Sequence, residues 1–304
     1  MENTLNKPKK KRKFFEGYTL FDYVVIILLT LLSIVIIYPF WNQIVLSFSH
    51  SSTTTSLGVS LWPEQWSLEA YQFIFSYGDV GLAYLNTIIR TVLGTLLITG
   101  VTILAAYPLS RDDLPFRGVF MGLFLVAMFM QGGMIPDYLI VRELGLLNTR
   151  MALILPRALN VMFIIIMRNF FKSISPEIEE SATMDGATPF QILYKIILPL
   201  SKPIVVTIAM WAAVYHWNEW FHAQVYIQDS SLDVLQTMVR QMLIDVDPSR
   251  MQNQVSGVGG QAAELLLTNV RAATVMVSIG PIILVYPFAQ KYFIKGLQLG
   301  AVKG

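Results

Sequence analysis

Cysteine is absent from the 304 residues, which excludes disulfides, thiol nucleophiles and Cys-based metal sites. Histidine is scarce, and His50, His216 and His222 fall into no metal-binding spacing such as HExxH. Charge is scarce as well. Only 14% of residues are charged and 54% are hydrophobic, with a mean hydropathy of +0.55, whereas a soluble domain carries about a quarter charged residues. The net charge of +2 is too small to point to nucleic acid. No Gly-Lys pair occurs anywhere, so the chain lacks the GxxxxGK[ST] loop that cradles ATP phosphates. If ATP drives its work, another chain hydrolyses it. No internal repeat or low-complexity tract is evident.

What the chain does have is long apolar runs. Residues 1–20 form a basic tail with Lys7, Lys9, Lys10, Lys11, Arg12 and Lys13. Beside an apolar span this reads as a cytoplasmic topology anchor rather than a nucleic-acid patch. Tyr23 to Ser49 carries no charged residue and is too long for a signal-peptide core. It predicts the first spanning helix. An outer loop follows, with a short amphipathic helix and the interfacial aromatics Trp62, Trp66 and Tyr71. Further spans are expected at about 82–109, 116–135, 151–171, 200–221 and 272–292, with a short outer turn at 136–150 and a long polar outer loop at 222–271. At roughly twenty residues per span, the expectation is an all-α membrane protein with six transmembrane helices. Its membrane domain covers 21–296, and a C-terminal tail covers 297–304.

The basic residues set the orientation. Of the 22, fifteen fall on the segments that join the N-terminal tail's side, and five (Arg142, Arg150, Arg240, Arg250 and Arg271) on the opposite side. That bias predicts cytoplasmic termini. Arg90 and Arg157 lie within or at the edge of spans. A charge at mid-bilayer costs about 2.5–3.5 kcal/mol on insertion scales. Arg90 is expected to snorkel outward. Arg157, following Pro156, is the better candidate for facing a polar cavity, where an anionic sugar or a structural partner would suit it.

Residues 175–203, SPEIEESATMDGATPFQILYKIILPLSKP, are the one long segment between apolar runs that reads as two short helices. Ser175 suits a cap and Pro176 a first helical position. Glu177, Glu179 and Glu180 favour the N-terminal end of the helix dipole. Gly186 suits a left-handed helix end, and Thr188-Pro189 restarts the chain. By spacing alone this is a helical hairpin lying on a membrane surface. The residues resemble something sharper. Glu180-Ser181-Ala182, then Gly186, then Ile196-x-Leu198-Pro199 is similar to the EAA loop of permease subunits in bacterial ABC importers, with Ser181 replacing the second position. Asp185-Gly186-Ala187 resembles the sugar-importer version of that loop. Ala105-Ala106-Tyr107-Pro108-Leu109-Ser110-Arg111, Leu144 to Thr149 and the ending Gly300-Ala301-Val302-Lys303-Gly304 also look like carbohydrate permeases, in the branch of the maltose importer's G subunit. Within it, the group handling oligosaccharides from plant or algal polysaccharides is the nearest resemblance.

The resemblance implies a type I ABC importer permease fold in the bacterial cytoplasmic membrane, with a coupling helix that docks on the ATPase through Glu180, Ser181, Ala182, Asp185, Gly186 and Ala187. It implies a second, homologous permease subunit, two ATPase subunits carrying ATP and Mg, and an extracytoplasmic solute-binding protein, with no cofactor on this chain. It also implies that the outer loop, at Gln252, Asn253, Gln254, Gly257, Gly259 and Gly260, reaches into the binding protein as a scoop. The alternative is a solvated, floppy loop.

Aromatics stack on sugar C–H faces. Tyr38, Trp41, Tyr215, Trp217, Asn218 and Trp220 are therefore candidates for the substrate pathway together with Arg157, although Trp and Tyr at span ends also mark the membrane interface. Glu219 and His222 read as membrane-border residues rather than an acid–base pair. Competing functions are an ABC permease for another solute and a secondary transporter or channel, which would need no docking loop. A membrane-embedded enzyme is disfavoured because no nucleophile, metal or acid pair is assembled.

Overall fold

In the computed structural model, the described residues are 19–50, 61–76, 78–130, 132–245, 267–284 and 287. The basic tail, the C-terminal tail and the candidate scoop residues Gln252, Asn253, Gln254, Gly257, Gly259 and Gly260 lie outside them. The described residues form helices, turns and loops, with one isolated antiparallel bridge between Ser49 and Trp66.

Helix α1 (Leu20–Ser47) starts at a capping box. The Thr19 N–H donates to the Asp22 carboxylate at 2.7 Å, and the Asp22 N–H donates back to the Thr19 hydroxyl at 3.4 Å. After α2 (Glu69–Ser76) comes α3 (Val80–Ser110), capped by the Asp79 carboxylate, which accepts from the Leu82 N–H at 2.9 Å. At 1.5 Å per residue α3 is about 46 Å long, more than the ~30 Å of a bilayer's hydrocarbon core. Next come α4 (Arg117–Phe129), α5 (Met134–Glu143), two 3-10 turns (Arg150–Leu153 and Leu155–Arg157) and α6 (Val161–Lys172). The remaining helices are α7 (Pro176–Met184), α8 (Pro189–Leu200), α9 (Lys202–Asn218), α10 (Phe221–Tyr226), α11 (Leu235–Asp245) and α12 (Leu267–Leu284).

Three helices, α1, α3 and α12, are long and apolar enough to cross a bilayer unaided, and up to six segments qualify if each bent pair counts as one. The other expected spans are therefore not straight. The turns before α6 meet it at 51°, and α8 meets α9 at 83°. Each break has a local cause. Pro156 cannot continue the hydrogen-bond ladder, and Asn160 restarts it by accepting from the Phe163 N–H at 3.2 Å. Pro203 has no N–H to donate across the α8–α9 corner. The turn expected at 136–150 is largely helix, because α5 runs to Glu143. The polar loop expected from 222 is also helical at both described ends. α10 and α11 are amphipathic, and they bury Tyr226, Leu235 and Met242.

Helix α3 is the hub. It packs most extensively on α9 and then on α6. Its buried stripe includes Ala83, Thr87, Gly94, Ile98, Thr102 and Ala106, spaced to share one helix face. Small residues there let α9 approach closely. A Cβ on Gly94 would lie 2.3 Å from His216 Nε2, so only glycine fits that crossing. At the Ser110 end, Tyr107, Ile164, Met167, Phe171, Ile192 and Ile197 form one core. At the Val80 end, Ile74, Val80, Trp217, Leu235, Met242 and Val270 form another.

Candidate functional site

Two places carry chemistry. The first is a half-open cavity of about 700 Å³ bordered by the end of α4, α5, the Pro156 break, the start of α6 and α10, a size typical of small-ligand sites. Its polar lining includes Asp137, Arg157, Asn160, His222 and Tyr226. Glu219 caps the end of α9, just ahead of α10, which lines the cavity.

Arg90, on α3, reaches Glu219 across the helix interface. Its guanidinium donates to the Glu219 backbone carbonyl at 2.6 Å and to the Glu219 carboxylate at 2.5 Å. The two side chains are only 3% and 9% exposed, so each charge depends on the other for its solvation. The second Glu219 oxygen accepts from the His222 N–H at 2.8 Å, so the carboxylate fixes the first turn of α10. The same oxygen lies 2.7 Å from His222 Nδ1. His222 Nε2 lies 2.9 Å from an Arg157 nitrogen. Arginine only donates, so Nε2 is the lone-pair nitrogen and Nδ1 carries the proton given to Glu219. Four residues from three distant stretches thus form one chain, Arg90–Glu219–His222–Arg157. Arg157 stands at its open end, with its side chain 44% exposed and 3.9 Å from the Asp137 carboxylate.

Of the residues expected to line a substrate pathway, Arg157 alone lines this cavity. Tyr38 and Trp41 lie on α1. The Trp41 indole donates to the Leu61 carbonyl at 2.9 Å and meets Trp62 edge-on at 5.6 Å. Trp217 is a core residue instead. It is 9% exposed, and its indole donates to the Ser278 carbonyl at 3.0 Å. Asn218 donates back to the Val214 carbonyl of its own helix at 2.9 Å. Tyr215 packs edge-on to His216 at 5.2 Å. Trp220 lies under the Arg240 guanidinium, 3.7 Å from the ring centre. Arg90 does not snorkel outward, because Glu219 gives it a buried partner. Glu219 and His222, expected at the membrane border, are joined in one hydrogen-bonded network with Arg90 and Arg157. The available signal was their being ionisable beside an apolar run, which marks a functional position by default. Asn148, at φ +59°, was also missed. Its side-chain oxygen accepts from the Gln228 and Asp229 N–H groups at 2.7 and 2.9 Å, tying the turn before α6 to the end of α10.

The second place is the segment 175–203. Ser175 precedes α7 without a side-chain cap hydrogen bond; Pro176 alone marks that start. At the other end, Gly186 stands at φ +81°. The Ala187 N–H donates to the Ala182 carbonyl and the Gly186 N–H to the Thr183 carbonyl, both at 3.0 Å. This is the paired bonding of a Schellman helix end. Thr188 and Gln191 then form a capping box for α8. α7 is anchored by Glu179, which accepts from Arg111 at 3.2 Å. Glu180, Ser181 and Asp185 face outward, as do Met184 and Phe190. Ala182 and Ala187 pack inward against the core. Nearby, Arg117 and Lys172 hold the Asp112 carboxyl below its ordinary range. Among the described residues, no group of three or more His, Cys, Asp or Glu is placed to hold a metal.

The comparisons with known proteins cover nearly the whole chain. It is 39% identical over 285 residues to the polygalacturonan/rhamnogalacturonan transport system permease protein YtcP of Bacillus subtilis (strain 168), covering 94% of this chain and 99% of that one. It is 37% identical over 289 residues to Protein LplC of the same organism, covering 93% and 95%. Among solved structures, it is similar to a bacterial ABC transporter involved in the import of the acidic polysaccharide alginate, with a TM-score of 0.79 and 32% identity over 91% of this chain and 99% of that one. Residues 82–298 match the family described as binding-protein-dependent transport system inner membrane component, so the cavity and the outward-facing α7 segment both lie inside the matched region and the chain belongs to that family.

Proposed function

We propose that this chain is the permease subunit of an ATP-driven importer of sugars or oligosaccharides, forming half of the translocation pathway. The observation that carries the reading is the end-to-end similarity to a polygalacturonan/rhamnogalacturonan permease and to an alginate importer. The six apolar segments, three of them bent, each cross the inner membrane as one span in a type I permease fold. Both termini and 175–203 lie in the cytoplasm, in keeping with the bias of basic residues. A second, homologous permease completes the pathway. Two ATPase subunits bind ATP and Mg, which this chain has no loop to hold, and an extracytoplasmic binding protein delivers the sugar.

In this reading α7 is the coupling helix. Its inward face is pinned through Ala182, Ala187 and Glu179. The outward row of Glu180, Ser181, Met184 and Asp185 is left for the ATPase. Gly186 holds the turn, and a β-branched side chain at φ +81° is strained. Gly186→Val is expected to insert normally yet lose most sugar-stimulated ATP turnover in the assembled, reconstituted importer. Wild-type stimulation in that variant overturns the coupling role. Failure of the wild-type complex to import any carbohydrate overturns the sugar reading.

A further inference from the structure

We infer that Arg157 is a carboxylate-binding group, and that the cavity beside it takes an acidic sugar, a uronate unit of an oligosaccharide; this rests on the sugar-importer reading above. Arginine has five N–H donors in a flat fork. Among the described residues, Arg157 spends one nitrogen on His222 Nε2. The Asp137 carboxylate, at 3.9 Å, is beyond hydrogen-bonding distance. The guanidinium therefore faces the cavity with unused donors, and it is the one cation among the residues that line that cavity.

The fork is held in place rather than left free. His222 offers Arg157 only a lone pair, because its other nitrogen is committed to Glu219. Glu219 is in turn fixed to α3 by Arg90. Arg90 and Glu219 cancel each other's charge, so the chain orients Arg157 without neutralising it. Hydroxyl groups of a neutral sugar are served well by uncharged donors. A permanently charged planar fork, aimed and incompletely paired, matches a carboxylate, which takes two parallel N–H bonds. Asp137 and Asn160 then stand where sugar hydroxyls need acceptors.

The test uses the complete importer in lipid nanodiscs, with tri-galacturonate, tri-mannuronate and the methyl ester of each. The esters keep the rings and hydroxyls and remove the charge. The readout is the ratio of ester Kd to acid Kd. Wild type is expected to favour at least one acid. Arg157→Gln should lower that ratio by about tenfold or more, the scale of a lost charge-assisted pair, and Arg157→Lys should retain part of it. Asp137→Asn, which removes the nearby competing carboxylate, should raise the ratio, a gain that misfolding cannot imitate. A wild type that binds esters and acids alike, or an Arg157→Gln variant with the wild-type ratio, overturns the carboxylate site while leaving the sugar reading intact. A wild type that binds none of the four overturns the site, and the importer reading stands or falls separately on carbohydrate uptake.

Discussion

Arg90 and Glu219 show what single side chains decide here. Arg90 follows Ile89 in an otherwise uncharged helix, and no carboxylate within it offers a partner. Its partner lies 129 residues further on. Because both groups are almost fully enclosed, removing either strands a charge, which costs about 3–5 kcal/mol, whereas removing both leaves no orphan. Arg90→Met and Glu219→Gln are each expected to lower stability on that scale. The double variant is expected to be less damaged than either single one. Thermal unfolding of the purified chain in detergent measures this. Additive losses in the double variant contradict the pairing. Glu219→Gln also weakens the carboxylate's hold on His222, so the effect should extend to the orientation of Arg157.

Among the elements, the α7–α8 pair depends on its connection more than on its own length. α7 has nine residues and the first α-helical turn of α8 has four before a π-helical stretch at Leu193–Ile197. Helices this short are marginal in water. The turn between them satisfies the backbone groups at both ends: the Schellman bonds close α7, and the Thr188–Gln191 box opens α8. Thr188→Ala removes the cap hydroxyl, a loss of about 1 kcal/mol. Amide exchange at Gln191 and Ile192 is therefore expected to speed up about fivefold, while exchange in α3 stays unchanged. Unaltered exchange at those two amides shows that the cap does not hold the start of α8. The ion pair of Arg111 with Glu179 adds a mechanical link, because Arg111 directly follows α3 and Glu179 is on α7. Motion of α3 relative to α7 has to stretch or break that pair.

For the whole molecule, the important fact is how little of its apolar surface this chain covers by itself. Along α1 the side chains from Leu20 to Ile37 are mostly exposed, and only Val45 and Ser47 are buried. Such a surface needs lipid or another protein against it. The orientation of the chain in the membrane follows from charge, and the absence of cysteine makes it easy to test. Gln228→Cys, beside the Asn148 staple, is expected to react with an impermeant thiol reagent only from outside the cell. Ser173→Cys, ahead of α7, is expected to react only from the cytoplasm. Reversed labelling refutes the assigned orientation.

Much of this was legible in the residues. Long uncharged runs fixed the membrane class, because burying a backbone in lipid requires helices and nearly twenty apolar residues each. The Gly186 turn and the restart at Thr188-Pro189 were legible because helix ends are local, settled by residues three or four apart. The face of each span was not legible. A helix that is apolar all round carries no periodic signal of which side meets protein, so Trp217 looked like a pathway aromatic when it is a core residue bonded to Ser278. The bends of two spans depended on how Pro156 and Pro203 were accommodated, and prolines mark a break without giving its angle. The chain from Arg90 to Arg157 was beyond reach for the same reason. Its links join residues 129, 3 and 65 positions apart, and only the packing of α3 against α9 sets which charges meet and which one is left facing the cavity.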